Sequence, residues 1–281
     1  MPTFDTPTAI AATIDIVAGD IRVIAGDRHD TVVAVRPRDE SRELDVKTAA
    51  QTRVECANGK LIVKSPKPLQ VYFSSRSTNV DVTVELPTGS QVVGTTADGD
   101  IYCAGSLGDC RFRTYDGDIG LHRTGSLRAT TMNGRITADR IGGEAYITGS
   151  GDVHVTEVAG AAYVKNLNGP SWIGQAGGDV HVNSAHGDIN IDRAGPQVVA
   201  RTAHGSVRLG EIARGSAVMQ TASGDIEVGI RTGTAAWLDV KSSSGNVRNE
   251  LDAGASPDGA EETAQIRART LDGDVIIRRA G

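Results

Sequence analysis

The feature that most constrains this chain is a hexad, T-x-x-G-D-I with tolerated variants, that recurs ten times between residues 96 and 275. Its copies are Thr96 to Ile101, Thr114 to Ile119, Thr131 to Ile136, Thr148 to Val153, Asn166 to Ser171, Ser184 to Ile189, Thr202 to Val207, Thr221 to Ile226, Ser242 to Val247 and Thr270 to Val275. The turn glycines are therefore Gly99, Gly117, Gly134, Gly151, Gly169, Gly187, Gly205, Gly224, Gly245 and Gly273, separated by 18, 17, 17, 18, 18, 18, 19, 21 and 28 residues. A period this short, held over ten copies, describes coils of a solenoid rather than a series of separate hairpins.

Aligned on that glycine, apolar residues alternate with polar ones on both sides of it, the period of strands and not of helices. Two and four residues after it run rows such as Ile101, Ile119, Ile136 and Cys103, Leu121, Ala138; five and seven before it run Phe112, Ala129, Tyr146, Val164 and Cys110, Leu127, Ala162, Val180. A second glycine-containing turn follows six to ten residues later, as at Gly105, Gly125, Gly142 and Gly160. Each coil is then two short strands and two turns, and equivalent strands stack in parallel register at about 4.8 Å. The expected fold is all-β: a single-stranded parallel β-helix (β-solenoid) of about ten coils of 17–19 residues, with the crossover rule favouring a right-handed path.

The hexad has a mechanical purpose. Glycine supplies a positive φ or a close backbone approach, and the Asp that follows it in many copies can bond turn N–H groups. The row Thr114, Thr131, Thr148, Asn166, Ser184, Thr202, Thr221, Ser242 and Thr270, three residues before the glycines, is expected to bond along the stack and satisfy turn groups. Residues 1–90 lack the hexad but carry alternating apolar runs, so an N-terminal β-rich capping domain is expected there, with the repeat domain over 91–281. The last coil runs Asp274 to Ile277, and either the insert near 252–264 or a second chain is expected to cover it, which allows a homo-oligomer through the C-terminal coil.

The lead-in VTVELPTGSQVVGTTADGDI at 82–101, followed by repeated T-x-[DNSH]-G-[DS]-[IV], resembles the bacterial putative-adhesin family of β-strand repeats, of head-GIN-like type. That resemblance implies a parallel β-helix behind a small β-domain, and it implies no catalytic residues.

Asp100, Asp118, Asp152, Asp188, Asp225 and Asp274 line one edge as a calcium roll would, but Arg135, Pro170, Ser206 and Asn246 break the row, and turn capping is the favoured reading. His186 and His204 share a slot in neighbouring coils without an evident third metal ligand. Asp98 and Asp116 form a stacked carboxylate pair of the kind glycosidases use, but few aromatics, 4% of the chain, are available to hold a sugar. No catalytic residue, cofactor or metal is assigned. Four residues before the glycines lies a basic stripe, Arg113, Lys165, Arg201, Lys241 and Arg269, suited to an acidic protein partner. The irregular coil at Pro170 and Trp172 and the insert carrying Asp258 are further candidate contact sites.

A net charge of -6 argues against nucleic acid, and no apolar run approaches the ~20 residues of a membrane span. Three cysteines without CxxC spacing, and no charged-then-apolar start, make a reducing cytoplasm the expected compartment. The sequence thus points to a non-enzymatic scaffold or protein-interaction module, with a carbohydrate-binding or carbohydrate-cleaving β-helix as the alternative.

Overall fold

The computed structural model describes residues 1–66, 78–251 and 262–280, in two compact units, Met1–Gly142 and Gly143–Gly281. The first unit contains β1 (Thr3–Asp5), β2 (Ala11–Asp15), β3 (Ile21–Gly26), β4 (Asp30–Pro37), α1 (Glu43–Gln51), β5 (Arg53–Ala57), β6 (Lys60–Lys64), β7 (Val80–Pro87), β8 (Gln91–Thr95), β9 (Ile101–Ser106), β10 (Cys110–Arg113), β11 (Ile119–Thr124), β12 (Leu127–Thr130) and β13 (Ile136–Ile141). Its strands form two sheets, ordered β1-β4-β7-β3-β9-β11-β13 and β5-β6-β2-β8-β10-β12.

The second unit contains β14 (Ala145–Gly149), β15 (Val153–Val158), β16 (Ala162–Asn168), β17 (Ser171–Ala176), β18 (Val180–His186), β19 (Ile189–Arg193), β20 (Gln197–His204), β21 (Val207–Ile212), β22 (Gly215–Ser223), β23 (Ile226–Ile230), β24 (Thr234–Ser244), β25 (Val247–Asn249), β26 (Glu262–Asp272) and β27 (Val275–Arg279). These pair in the orders β15-β17-β19-β21-β23-β27-β25 and β14-β16-β18-β20-β22-β26-β24.

The pairings of the hexad strands are parallel and, outside β14, join mostly equivalent residues, as in Ile119 with Ile136 or Val182 with Ala200. The inward rows are the predicted apolar ones. Ile119, Ile136, Val180, Val182, Ile189 and Ala200 all have 0% exposure, because alternate residues of a strand point to one face and each rung covers the next.

Chain order and stacking order part company at both ends. In the first unit β6 and β7 lie outside β2 and β3, although they follow them in sequence. In the second, β26 and β27 insert between β22–β23 and β24–β25. The expected uninterrupted winding is corrected there: β26 and β27 make the C-terminal coil an inner rung, and the outermost rung is the 234–249 coil. The apolar faces explain the choice. Ile266, Ala268, Val275 and Ile277 all have 0% exposure, whereas the 234–249 coil sets the polar Asn249 opposite Ile277, which makes it the rung better able to end the stack.

The front also differs from the expectation of a separate domain over 1–90. Rung β2–β3 pairs in register with β8 and β9, so the parallel stack runs across residue 90, carried by the unrecognised hexad variant Ile16 to Ile21 with its turn glycine Gly19 at φ 120°. The parts that close the stack are the antiparallel strands β1, β4 and β5, and α1. From α1, the fully buried carboxylate of Asp45 accepts the Asn79 N–H at 3.0 Å at the entrance to β7.

A one-residue slip separates the coil of Gly151 from the alignment. Tyr146 pairs with Tyr163 and faces outward, while Ile147 takes the inward place beside Val164. Thr148 likewise points out next to Lys165, and Gly149 occupies the ladder position opposite Asn166. The expected inward Tyr146 and ladder Thr148 are corrected accordingly: in a period-two element a shift of one exchanges every face.

Candidate functional site

The turns consume most of the recurring polar side chains; Ser184, expected in the same ladder, is the exception, its buried hydroxyl having no hydrogen-bond partner among the described residues. The Thr114 hydroxyl donates to the Gly99 carbonyl of the neighbouring rung at 3.1 Å, Thr202 to Gly187 at 3.2 Å, Thr221 to Gly205 at 2.9 Å and Thr270 to Gly224 at 2.9 Å. The aspartates do the same for N–H groups. Oδ1 of Asp100 accepts from the Asp118 N–H at 2.8 Å, Asp118 from Arg135 at 2.7 Å, Asp188 from Ser206 at 2.8 Å and Asp225 from Asp274 at 2.8 Å. Both ladders were expected from residue type, since a turn repeated rung upon rung leaves groups that only the adjacent rung can reach.

The turn glycines are fixed by two constraints at once. Gly99, Gly117, Gly134, Gly187, Gly205, Gly224, Gly245 and Gly273 all have φ between 139° and 153°, and a Cβ on Gly205 would stand 2.3 Å from the Gly187 carbonyl oxygen. Gly169 has φ 84°, and Gly151 accepts a hydrogen bond from Asn166 Nδ2 at 2.9 Å.

That same asparagine explains the irregular coil. Asn166 replaces the ladder threonine and Ser171 an inward aliphatic residue; Asn166 Nδ2 also reaches Ser171 Oγ at 3.2 Å, so two buried polar side chains satisfy each other. Pro170 is exposed in the turn. Trp172 is half-buried: its indole stacks on His154 with ring centres 4.1 Å apart, and lies over Gly174. It is therefore tied down rather than presented as a free anchor. Asp258 lies outside the described residues.

The basic stripe is brought together by register. Lys165, Asn183, Arg201, Gln220, Arg269 and Lys241 stand side by side across β16, β18, β20, β22, β26 and β24, all facing outward. Arg113 belongs to the first unit, between Thr95 and Thr130. Lys165, Arg201 and Lys241 form no ion pair among the described residues, whereas Arg267 and Arg269 hold Asp239 at 2.9 and 3.3 Å. Beside this row stands a stacked column that the sequence reading missed: Tyr146, Tyr163 and His181, with ring centres 5.0 and 5.1 Å apart. Val199 and Val218 continue it, and Leu167 and Leu271 lie exposed on the other side of the row. The result is a flat surface of cations flanked by apolar and aromatic groups.

The carboxylate and histidine candidates make no comparable site. Asp98 and Asp116 are neighbours in the stack and both exposed. A cleft of about 380 Å³ nearby, left where Gly120 fails to fill the gap beside Tyr102, is lined by Asp20, Asp100 and Asp118, but these already accept turn N–H groups. His186 and His204 stack at 5.1 Å, and among the described residues no group of three His, Cys, Asp or Glu is placed to hold a metal. Burial pushes the Cys103 thiol well up and Cys110 to about 11, the opposite of what a reactive cysteine needs. No helix among the described residues is long and apolar enough to cross a membrane.

A parallel β-stack whose recurring turn residues serve the stack itself defines a repeat protein. The chain belongs to the Toastrack DUF4097 family, whose model matches residues 11–280. It is similar in structure to a "putative adhesin" from Parabacteroides distasonis ATCC 8503, at 11% identity over 98% of this chain and 95% of that one, with a TM-score of 0.43. A "putative adhesin" from Parabacteroides merdae ATCC 43184 aligns at 10% identity over 98% and 94%, with a TM-score of 0.46. A "putative lipid binding protein" from P. distasonis ATCC 8503 aligns at 12% identity over 99% and 95%, with a TM-score of 0.41. No curated protein matches the chain.

Proposed function

We propose that the chain is a non-enzymatic, adhesin-like interaction module whose working surface is the outer face of β16, β18, β20, β22 and β26, and whose partner is an acidic protein surface. The observation that carries this is the row Lys165, Arg201 and Arg269 with its flanking Tyr163, His181, Val199 and Leu167: the three cations, Tyr163 and Leu167 are exposed, His181 and Val199 are half-buried, and none of them belongs to the buried core. Cations set among aromatic and aliphatic groups, on a rigid support, combine steering of an acidic partner with apolar area to bury. The free thiols of Cys56, Cys103 and Cys110 support placing the protein in the reducing cytoplasm.

A photo-reactive residue at position 183, between Lys165 and Arg201, tests this in the native cell. One discrete protein adduct, lost in Lys165→Glu/Arg201→Glu and retained when the probe is accompanied by Asn190→Asp on the other sheet, is the expected result. Turnover of a polysaccharide that Asp98→Asn or Asp116→Asn abolishes overturns the proposal in favour of a carbohydrate-cleaving β-helix.

A further inference from the structure

We infer that the outermost rung of the second unit is a two-fold dimerisation edge, and that the occupant of strand β24 is β24 of a second copy of this chain, running antiparallel to it. Among the described residues β24 pairs with β26 and with no other strand. It has 11 residues, without proline or glycine, in continuous register from Thr234 to Ser244. Edge strands of monomeric proteins are usually short, bulged or interrupted, because a long regular edge is a template for another strand. This one keeps its row of backbone N–H and C=O groups straight.

The interior is open at the same place. Leu238 and Val240 are half-buried where their neighbours Ile266 and Ala268 have 0% exposure, and Val247 is 45% exposed where its neighbour Val275 has 0%. A layer that is closed one rung further in therefore lacks its cover here.

Charge selects the occupant. Antiparallel pairing keeps inward residues facing inward only when the two-fold axis passes through a residue. With that axis at Val240, Val240 meets its own copy, and Asp239 of each chain stands opposite Lys241 of the other. Lys241 needs such a partner: its neighbour on the β26 side is Arg269, a like charge, and it forms no ion pair among the described residues. Asp239 is held in place by Arg267 and Arg269. A contact of this kind uses the same edge on both copies, so assembly stops at two.

Sedimentation velocity of the full chain from micromolar to sub-millimolar concentration tests the inference. The wild type is expected to reach a monomer–dimer equilibrium. Lys241→Glu, which sets like charges opposite each other twice, is expected to weaken it by about tenfold or more. Lys241→Arg is expected to keep it, and Asn190→Asp on the other sheet to leave it unchanged, with circular dichroism showing all variants equally folded. A strict monomer overturns the inference; so does growth beyond a dimer, or a dimer indifferent to Lys241→Glu.

Discussion

Replacing Gly205 by alanine separates the two demands that the turn makes of its glycine. The residue has φ 139°, and a Cβ there would lie 2.3 Å from the Gly187 oxygen, 2.6 Å from its carbonyl carbon and 3.0 Å from the Asp188 nitrogen. All three atoms are backbone of the adjacent rung, so none can swing aside. Gly233 is the control, with φ 87° and nothing within 4 Å of its Cβ position. At Gly233 alanine meets only the left-handed strain, about 1–2 kcal/mol, partly offset by about 0.4–1 kcal/mol from a less flexible unfolded chain, for a net cost near 1 kcal/mol.

At Gly205 the rungs must also part by roughly 1 Å to restore a normal contact. That movement acts across the bonds from the Gly187 N–H to the His204 carbonyl at 2.8 Å and from the Ile189 N–H to the Ser206 carbonyl at 2.9 Å. Losing both at about 1 kcal/mol each, on top of the strain, brings the expected cost to about 3–4 kcal/mol. Urea unfolding followed by far-ultraviolet circular dichroism reads this as a midpoint shift about three times that of Gly233→Ala at an unchanged slope. Equal costs for the two substitutions would refute the claim that rung contact, and not turn conformation alone, dictates glycine.

Thr114→Val removes one hydroxyl whose single proton is shared between the Gly99 and Asp116 carbonyls, each at 3.1 Å, at a site 1% exposed, and is expected to cost about 1–2 kcal/mol in the same assay, with Thr114→Ser losing less. Asp100→Asn keeps an acceptor for the Asp118 N–H and is expected to stay within about 0.5 kcal/mol of wild type, while Asp100→Ala is expected to cost about 1 kcal/mol; calcium that raised the wild-type midpoint, but not that of the Asn variant, would contradict the turn-capping role. Because burial holds the Cys110 thiol at about 11 against an ordinary 9.0, its contribution to stability is fully present below pH 9 and declines as pH rises towards 11, where the unfolded chain has already lost the proton. The urea midpoint of wild type is expected to fall relative to that of Cys110→Val as pH rises through that interval, and a thiol reagent at neutral pH is expected to modify half-buried Cys56 ahead of Cys103 and Cys110.

The inner rungs were legible because each copy of the hexad states the same three facts: where the chain turns, which alternate residues face in, and which polar side chain meets the next turn. The basic row was legible for the same reason, as four residues before the glycine is an outward position in every regular coil. Tyr146 was misplaced because the segment TGSGDV offers both Thr148 and Gly149 for one ladder position, and the shorter turn that selects Gly149 leaves no mark in composition. The Tyr146–Tyr163–His181 column was hidden behind that slip. The order of the end rungs was not legible at all, since a linear repeat records which segments are rungs and not which rung each one stacks upon. Rung β2–β3 escaped because Ile16 stands where the other copies carry threonine, serine or asparagine, and α1 because its nine residues show a weak apolar pattern.

The stacking itself is tested most directly by paired cysteines on the outward row in a Cys56→Ser background. Gln220 is the register neighbour of Arg269, about 4.8 Å away, while Lys241 lies one rung further out at about 9.6 Å. Disulfide formation requires Cα atoms within about 4.4–6.8 Å. Mild oxidation of the Gln220→Cys/Arg269→Cys variant is expected to give an intramolecular disulfide in the folded chain, and the Gln220→Cys/Lys241→Cys variant none. The reverse outcome would show rungs stacked in chain order, and a failure of both pairs would contradict the parallel register on which the whole account rests.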